Sequence, residues 1–229
     1  MAIVYKYISF IFNTVIKNRA ILAVYILAIT DVCAQNKFHQ AGSSYFLFSM
    51  GSSHISVTDK NSSGQYQKRE VTGSSYAMDF KFGNAVADNL IIHFDMILIS
   101  SINVKVNEDG KNLLMMPSDY IISIGLFGMG ATQYYRKNYF LSGTLGTGYF
   151  SVTENYQTID SEMGFSMFFK AGKEMWLGKK WGVGLCLYTN YTYSGYENGN
   201  FSGTAIGLAI NFSKTYFPKR NNCWGGNYF

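Results

Sequence analysis

Proline is nearly missing from this chain of 229 residues, occurring only twice. A residue that cannot donate to a ladder is kept out of strand interiors, so its scarcity leaves room for long uninterrupted strands. Charge is scarce too. Asp, Glu, Lys and Arg make up 14 % of the chain, against ~25 % in ordinary soluble domains, so few faces are built for bulk water. The three cysteines, Cys33, Cys186 and Cys223, match no zinc or redox spacing; Cys33 lies in a segment expected to be removed, and Cys186 and Cys223 read as unpaired thiols. No glycine-rich phosphate loop and no metal-spaced cluster of His, Cys and Asp stands out, so neither cofactor nor metal is expected. After residue 35 there is no run of ~18 apolar residues, which excludes a helical membrane span. The net charge is +5, but the basic residues are scattered and form no stripe, which excludes nucleic acid as a partner.

What the chain has in quantity is glycine, at 23 residues, and aromatic side chains, at 17 %. Their arrangement is alternating. From Thr204 to Phe212, Ile206, Leu208, Ile210 and Phe212 form one set, and Ala205, Gly207, Ala209 and Asn211 the other. A strand sends these sets to opposite faces. The bulky set calls for an apolar medium. The small, uncharged set is a poor surface for water but suits a narrow, filled lumen.

Seven more stretches alternate in this way, giving strands at about Ser43–Val57, Thr72–Gly83, Leu90–Val104, Asp119–Tyr134, Tyr139–Val152, Met163–Trp176 and Trp181–Tyr193, with the last near Phe201–Phe212. Tyr76, Met78, Phe80 and Phe82 share a face, as do Ile92, Phe94, Met96 and Leu98; Tyr120, Ile122, Ile124 and Leu126 form a third such set. The connections alternate long and short. Thr58–Val71, Lys105–Ser118, Thr153–Glu162 and the Gly- and Asn-rich Ser194–Asn200 are long; Asn84–Asn89, Tyr135–Asn138 and Leu177–Lys180 are short. Membrane barrels show this asymmetry, with long external loops and tight turns at the other rim. Tyr139, Tyr149, Trp176, Trp181, Tyr191 and Tyr193, near strand ends, fit interfacial girdles. A soluble eight-stranded barrel is the competing architecture, but its outer face would need Lys, Glu and Thr where this chain has Gly, Ser and Ala. The expected fold is therefore all-β: an eight-stranded antiparallel up-and-down transmembrane β-barrel preceded by a signal peptide.

The amino end supports the last element. Lys17-Asn18-Arg19 precedes an apolar run, Ala20 to Ile29, of signal-peptide length, and Val32-Cys33-Ala34 places small residues before a cut at Gln35. Two closely spaced membrane helices are the competing reading of this end. The expected organisation is a signal peptide over 1–34, a periplasmic segment over 35–42, the barrel over 43–212 and an irregular tail over 213–229.

Three stretches carry a family resemblance: Tyr139-Phe140-Leu141-Ser142-Gly143-Thr144-Leu145-Gly146, Ala171-Gly172-Lys173-Glu174-Met175-Trp176, and Trp181-Gly182-Val183-Gly184-Leu185. Together they resemble the small porin-like outer-membrane β-barrel proteins of Gram-negative bacteria, over about Ser43–Phe212. Gly207-x-x-Ile210-x-Phe212 resembles the last-strand signal read by the barrel-assembly machinery. In the family that signal ends the protein, whereas here Ser213–Phe229 follows, and Ala205 stands at a position usually polar. The resemblance implies a location in the cell outer membrane, with outer-membrane lipids, lipopolysaccharide and the assembly machinery as partners, and a monomer. It implies no single activity.

Candidate chemistry lies on the small face. Asp79 and Lys81 of the second strand, His93 and Asp95 of the third, and Lys170 and Glu174 of the sixth all belong to the lumen set. A His–carboxylate pair can act as a general base, and His54 with Ser56 puts another His beside a hydroxyl, so a lipid-modifying enzyme is one reading. Charges in a narrow barrel must pair, and these six can pair with one another. The expected function is thus non-enzymatic: a structural or surface role with a side-chain-filled lumen. A narrow channel or carrier is the alternative, using space left by Gly146, Gly148, Gly182, Gly184 and Gly207.

Overall fold

The computed structural model describes residues 39–61, 67–102, 104–113, 121–154, 157–177, 180–196 and 199–216. The expected signal peptide, its cut at Gln35, Cys33, Cys223 and the tail from residue 217 lie outside them. Among the described residues there are ten strands: β1 (Ser44–Asn61), β2 (Lys68–Ala87), β3 (Leu90–Ile102), β4 (Lys105–Glu108), β5 (Lys111–Leu113), β6 (Ile121–Tyr134), β7 (Tyr139–Glu154), β8 (Gln157–Leu177), β9 (Trp181–Tyr196) and β10 (Gly199–Tyr216). Every pairing is antiparallel. Because β1 pairs with both β2 and β10, eight strands close into a barrel, while β4 and β5 form a hairpin that extends the wall beside β2. Closure leaves the eight strands with no free edge, the condition for a sheet to cross lipid.

The two rims differ. At one, the connections are tight: 88–89, a 3-10 turn at Arg136–Asn138, and 178–180. The first and last described residues also lie at this turn rim. At the other, the loop rim, the strands run further than their polarity suggested. β1 and β2 stay paired out to Lys60 opposite Lys68, and only residues 155–156 and 197–198 join β7 to β8 and β9 to β10. The expected connection Lys105–Ser118 contains a hairpin whose turn, Asp109-Gly110, has positive φ at both residues (46° and 82°). Asp-Gly is a favoured two-residue hairpin turn. The Asp109 carboxylate accepts from the Lys68 amide at 2.9 Å, and Arg69 pairs with Glu108 at 2.5 Å, so the hairpin is fastened to β2.

At the carboxyl side the expected end at Phe212 is overrun. β10 continues to Tyr216 because Ser213 and Thr215 keep their partners Leu47 and Tyr45 on β1, so 213–216 belong to the wall and not to an irregular tail.

Alternation assigns the faces. Around the turn-rim half, Met50, Met78, Phe82, Phe94, Met96, Leu98, Phe127, Met129, Leu141, Leu145, Phe169, Leu187, Ile206, Ile210 and Phe212 are exposed on the outside. Each such side chain left in water would forgo ~1.5–3 kcal/mol of burial, so this belt belongs in hydrocarbon. Trp181 and Tyr139 border it at the turn rim, and Tyr76, Tyr149, Tyr191 and Tyr193 border it toward the loops. Trp176, expected in a girdle, instead has inward parity and packs 5.2 Å from the His39 ring.

Toward the loop rim the chemistry inverts. His54, Ser56, Thr72, Ser74, Ser100, Ser123 and Thr204 face out, while Ile55, Val57, Val71, Ile97, Ile99, Val106, Ile122, Ile124, Phe150 and Phe201 are buried inside. Ile122, Ile124 and Leu126 thus fill the interior and do not face lipid. This upper half is built like a water-soluble barrel, with the Phe150 and Phe201 rings stacked at 4.8 Å. The wall rises out of the membrane, and there an apolar interior does the work that lipid does below.

Candidate functional site: the charged lumen

Below the apolar tier lies a polar one. All six sequence-derived residues point inward and are buried: Asp79, Lys81, His93, Asp95, Lys170 and Glu174 are each 1–3 % exposed. The parity of β2, β3 and β8 puts them there, and barrel closure brings β8 opposite β2, which it never touches in the sheet.

Four of the six form one ion cluster. Lys170 reaches across the lumen to Asp79, and Lys81 is paired with Asp95 and lies 3.8 Å from Asp79. Two ammoniums and two carboxylates balance. Hydroxyls and an amide fill the remaining valences: the Lys170 ammonium donates to Ser49 Oγ at 2.7 Å and to the Asn211 side-chain carbonyl at 3.3 Å, and Thr144 donates to Asp95 at 2.6 Å. The Phe168 ring lies near both lysines, its centre 5.4 Å from Lys81 Nζ and 5.7 Å from Lys170 Nζ, close enough for a cation–π contribution from both.

The other two residues depart from the expected pairing. Glu174 accepts from Ser213 Oγ at 2.9 Å. His93 Nε2 lies 3.0 Å from Thr132 Oγ1 and 3.4 Å from Ser142 Oγ, and its Nδ1 has no hydrogen-bond partner. Asp95, committed to Lys81 and Thr144, does not orient His93, so Ser142, His93 and Asp95 do not form a nucleophile–base–orienter relay. His54 and Ser56 face outward and away from all of them. Cys186 is buried as a free thiol, 3.3 Å from Asn211 Oδ1.

The glycines expected to leave space leave none. A Cβ at Gly148 would meet Thr192 Cγ2 at 2.7 Å, and one at Gly184 would meet Glu174 Cγ at 2.7 Å. At Gly182 it would run into Ser213 Oγ, and at Gly146 and Gly207 into the carbonyls of Phe127 and Ser52. Strands of a small barrel coil sharply, and these glycines are where neighbouring chains come too close for a side chain.

Composition gave no hint of His39. Residues 39–42, the described part of the expected periplasmic segment over 35–42, fold with Ser43 into the turn-rim mouth. The amides of Asn89 and Gly42 bond to the carbonyls of His39 (2.9 Å) and Ala85 (2.7 Å), and Ala41 N donates to Asp88 at 3.0 Å. The His39 ring packs on Tyr134 (4.3 Å), Trp176 (5.2 Å) and Tyr45 (5.3 Å), with Nδ1 3.0 Å from Thr215 Oγ1 and Nε2 without a hydrogen-bond partner. Burial pushes its pKa down from 6.5 to about 4. The unfolded segment therefore binds the proton first. Docking is at full strength above pH 6.5 and weakens as the pH falls toward 4, by up to ~3 kcal/mol. Protection of the Asn89 amide against hydrogen exchange, corrected for intrinsic rates, should fall over that window, and a His39→Gln chain should show no such fall. Equal pH dependence in both chains would mean that another group governs the mouth.

No protein-family profile matches the chain, and no curated protein does. Solved structures do. Neisserial surface protein A is 11 % identical, covering 74 % of this chain and 97 % of its own, with a TM-score of 0.47. The outer membrane protein OprG from Pseudomonas aeruginosa is 10 % identical, covering 79 % and 98 %, at 0.45. The outer membrane protease OmpT from Escherichia coli is 9 % identical, covering 80 % and 99 %, at 0.36. The barrel assignment stands on this chain's own strand pairing, and function must come from the site, because one fold hosts many functions.

Proposed function

We propose that this chain is a non-enzymatic outer-membrane β-barrel protein with a surface or structural role, its lumen closed by its own side chains. The observation that carries the reading is the crossing of the lumen by the Asp79–Lys170 pair, with the Lys81–Asp95 pair of the adjacent strands β2 and β3 and the Phe168 ring beside it, beneath a tier of packed Ile, Val and Phe. An eight-stranded barrel has an interior just wide enough for side chains. The charged network is structural: it satisfies the polar residues that alternation delivers to the inside, and it fixes which strands face each other across the lumen. His93 and Asp95 are 2 % and 1 % exposed, enclosed by the lumen's own side chains. Lipids of the outer membrane contact the apolar belt, lipopolysaccharide surrounds the loop-side half, the barrel-assembly machinery inserts the chain, and the protein is a monomer.

Two measurements test this together. The purified protein should migrate faster in a gel before boiling than after, as an intact barrel does, and should give no steady current in a planar bilayer. A steady ohmic current from the heat-modifiable form would establish the channel reading instead.

A further inference from the structure

The outer wall is not evenly covered. On β7, β8 and β9, three outward rows lie in register: Tyr139–Lys173–Leu185, Leu141–Ala171–Leu187 and Gly143–Phe169–Thr189. Ala171 and Gly143 supply almost no side chain between neighbours that are large. The result is a pair of depressions of about 440 and 370 Å³ that share Leu141, Ala171 and Leu187 and so form one groove. At its inner end it is bounded by Phe169 and Ile206 in the apolar belt; at its outer end it opens between Tyr135 and Tyr139 at the turn rim.

That opening is basic. Arg136 and Lys137 are exposed in the turn joining Tyr135 to Tyr139; Lys173 beneath them is buried, its ammonium 4.9 Å from the centre of the Tyr139 ring. Lys180 is exposed on the next turn. Asp88, an acid at the same rim, already accepts from Ala41 N. An apolar furrow running down from a cationic, aromatic mouth matches the shape and charge of a single amphiphile: hydrocarbon in the furrow, an anion at the mouth.

We propose that this groove holds one acyl chain of an anionic glycerophospholipid, with its phosphate at the Arg136–Lys137–Tyr139 mouth. The inference rests on the membrane-embedded reading above. It adds a specific lipid site in the leaflet at the turn rim, where lipopolysaccharide of the loop-side leaflet does not reach.

The test uses the full chain, refolded in detergent and examined by native mass spectrometry after addition of phosphatidylglycerol, phosphatidylcholine of the same chain length, or lipid A. Wild type should retain one phosphatidylglycerol in preference to the other two. Ala171→Phe, which fills the groove, should cut that retention about tenfold, equivalent to ~1.4 kcal/mol. Arg136→Ala/Lys137→Ala should bring phosphatidylglycerol down to the phosphatidylcholine level. Met96→Phe, outward on the distant β3, should change nothing. Heat-modifiable mobility of each sample reports folding separately, and Ala171→Leu replaces the Phe variant should that chain not fold. A wild-type chain without heat-modifiable mobility would remove the membrane reading itself. With folded barrels, the site is refuted by unchanged retention in the filled-groove variant, by equal loss in Met96→Phe, by preference for lipid A, or by a dimer that Ala171→Phe dissociates.

Discussion

Replacing Lys170 with Met should destabilise the barrel by about 3–5 kcal/mol, the cost of leaving a buried charge without its partner. The Met side chain is of similar length and apolar throughout, so the loss is electrostatic and not a cavity. With Lys170 gone, Asp79 and Asp95 share one ammonium, Lys81, inside a lumen where 3 % of Asp79 and 1 % of Asp95 is exposed. Asp79→Leu on its own should cost a comparable amount, for the opposite reason. The double variant, Asp79→Leu with Lys170→Met, should recover most of the loss, because it removes a whole pair and leaves Lys81–Asp95 balanced. Replacing a buried pair with packed apolar residues is often neutral or stabilising. Urea unfolding in lipid vesicles, followed by heat-modifiable mobility, reads all three. Additive losses in the double variant would show that the two residues act independently and that the network does not hold β2 and β8 across the lumen.

The second large effect concerns neighbours on β10. Gly207→Leu should prevent closure between β10 and β1. A Cβ at residue 207 would meet Ser53 Cβ at 2.5 Å and the Ser52 carbonyl oxygen, a backbone atom that cannot rotate away. Overpacking ordinarily costs ~1–3 kcal/mol; a clash with the partner strand's backbone belongs at the top of that range or above it, so the expected readout is loss of the heat-modifiable form. Leu208→Arg acts on the other face. It puts a charge in the lipid-facing belt and should cost ~2–4 kcal/mol near the midplane while leaving strand pairing possible. Thiol labelling separates the two faces: in a chain lacking Cys186 and Cys223, Leu208→Cys should react with a lipid-phase probe and Ala209→Cys, at an inward position that already carries a Cβ, should not. The reverse pattern would shift β10 by one residue and exchange inside for outside along the strand.

The faces of β2, β3, β7, β8, β9 and β10 were legible in the sequence because a strand has a period of two, so alternation is a local property that needs no partner. The same logic placed Asp79, Lys81, His93, Asp95, Lys170 and Glu174 inside. It misread β6, where the bulky set Ile122, Ile124 and Leu126 points in: alternation separates two faces but does not say which is which, and the loop-rim half reverses the polarity of the half below. The Asp109-Gly110 hairpin was visible as a turn dipeptide, yet its strands are short and polar and carry little alternation.

By itself, then, the sequence determined an all-β chain, eight alternating strands, two unlike rims and a lumen that collects the charges. Tertiary structure alone decided who meets whom. Lys170 and Asp79 are 91 residues apart and on strands that are not neighbours, and their contact exists because closure and stagger bring β8 across from β2. Glu174 and His93 were left to hydroxyl partners by the same geometry. The glycines became sites of close approach where space had been expected, because curvature is a property of the closed sheet. His39 became part of the mouth because the wall rises beside it with Tyr45, Tyr134 and Trp176 in place. Period and composition act within a strand, whereas pairing across a lumen depends on the rotation of every strand between, which no single segment encodes.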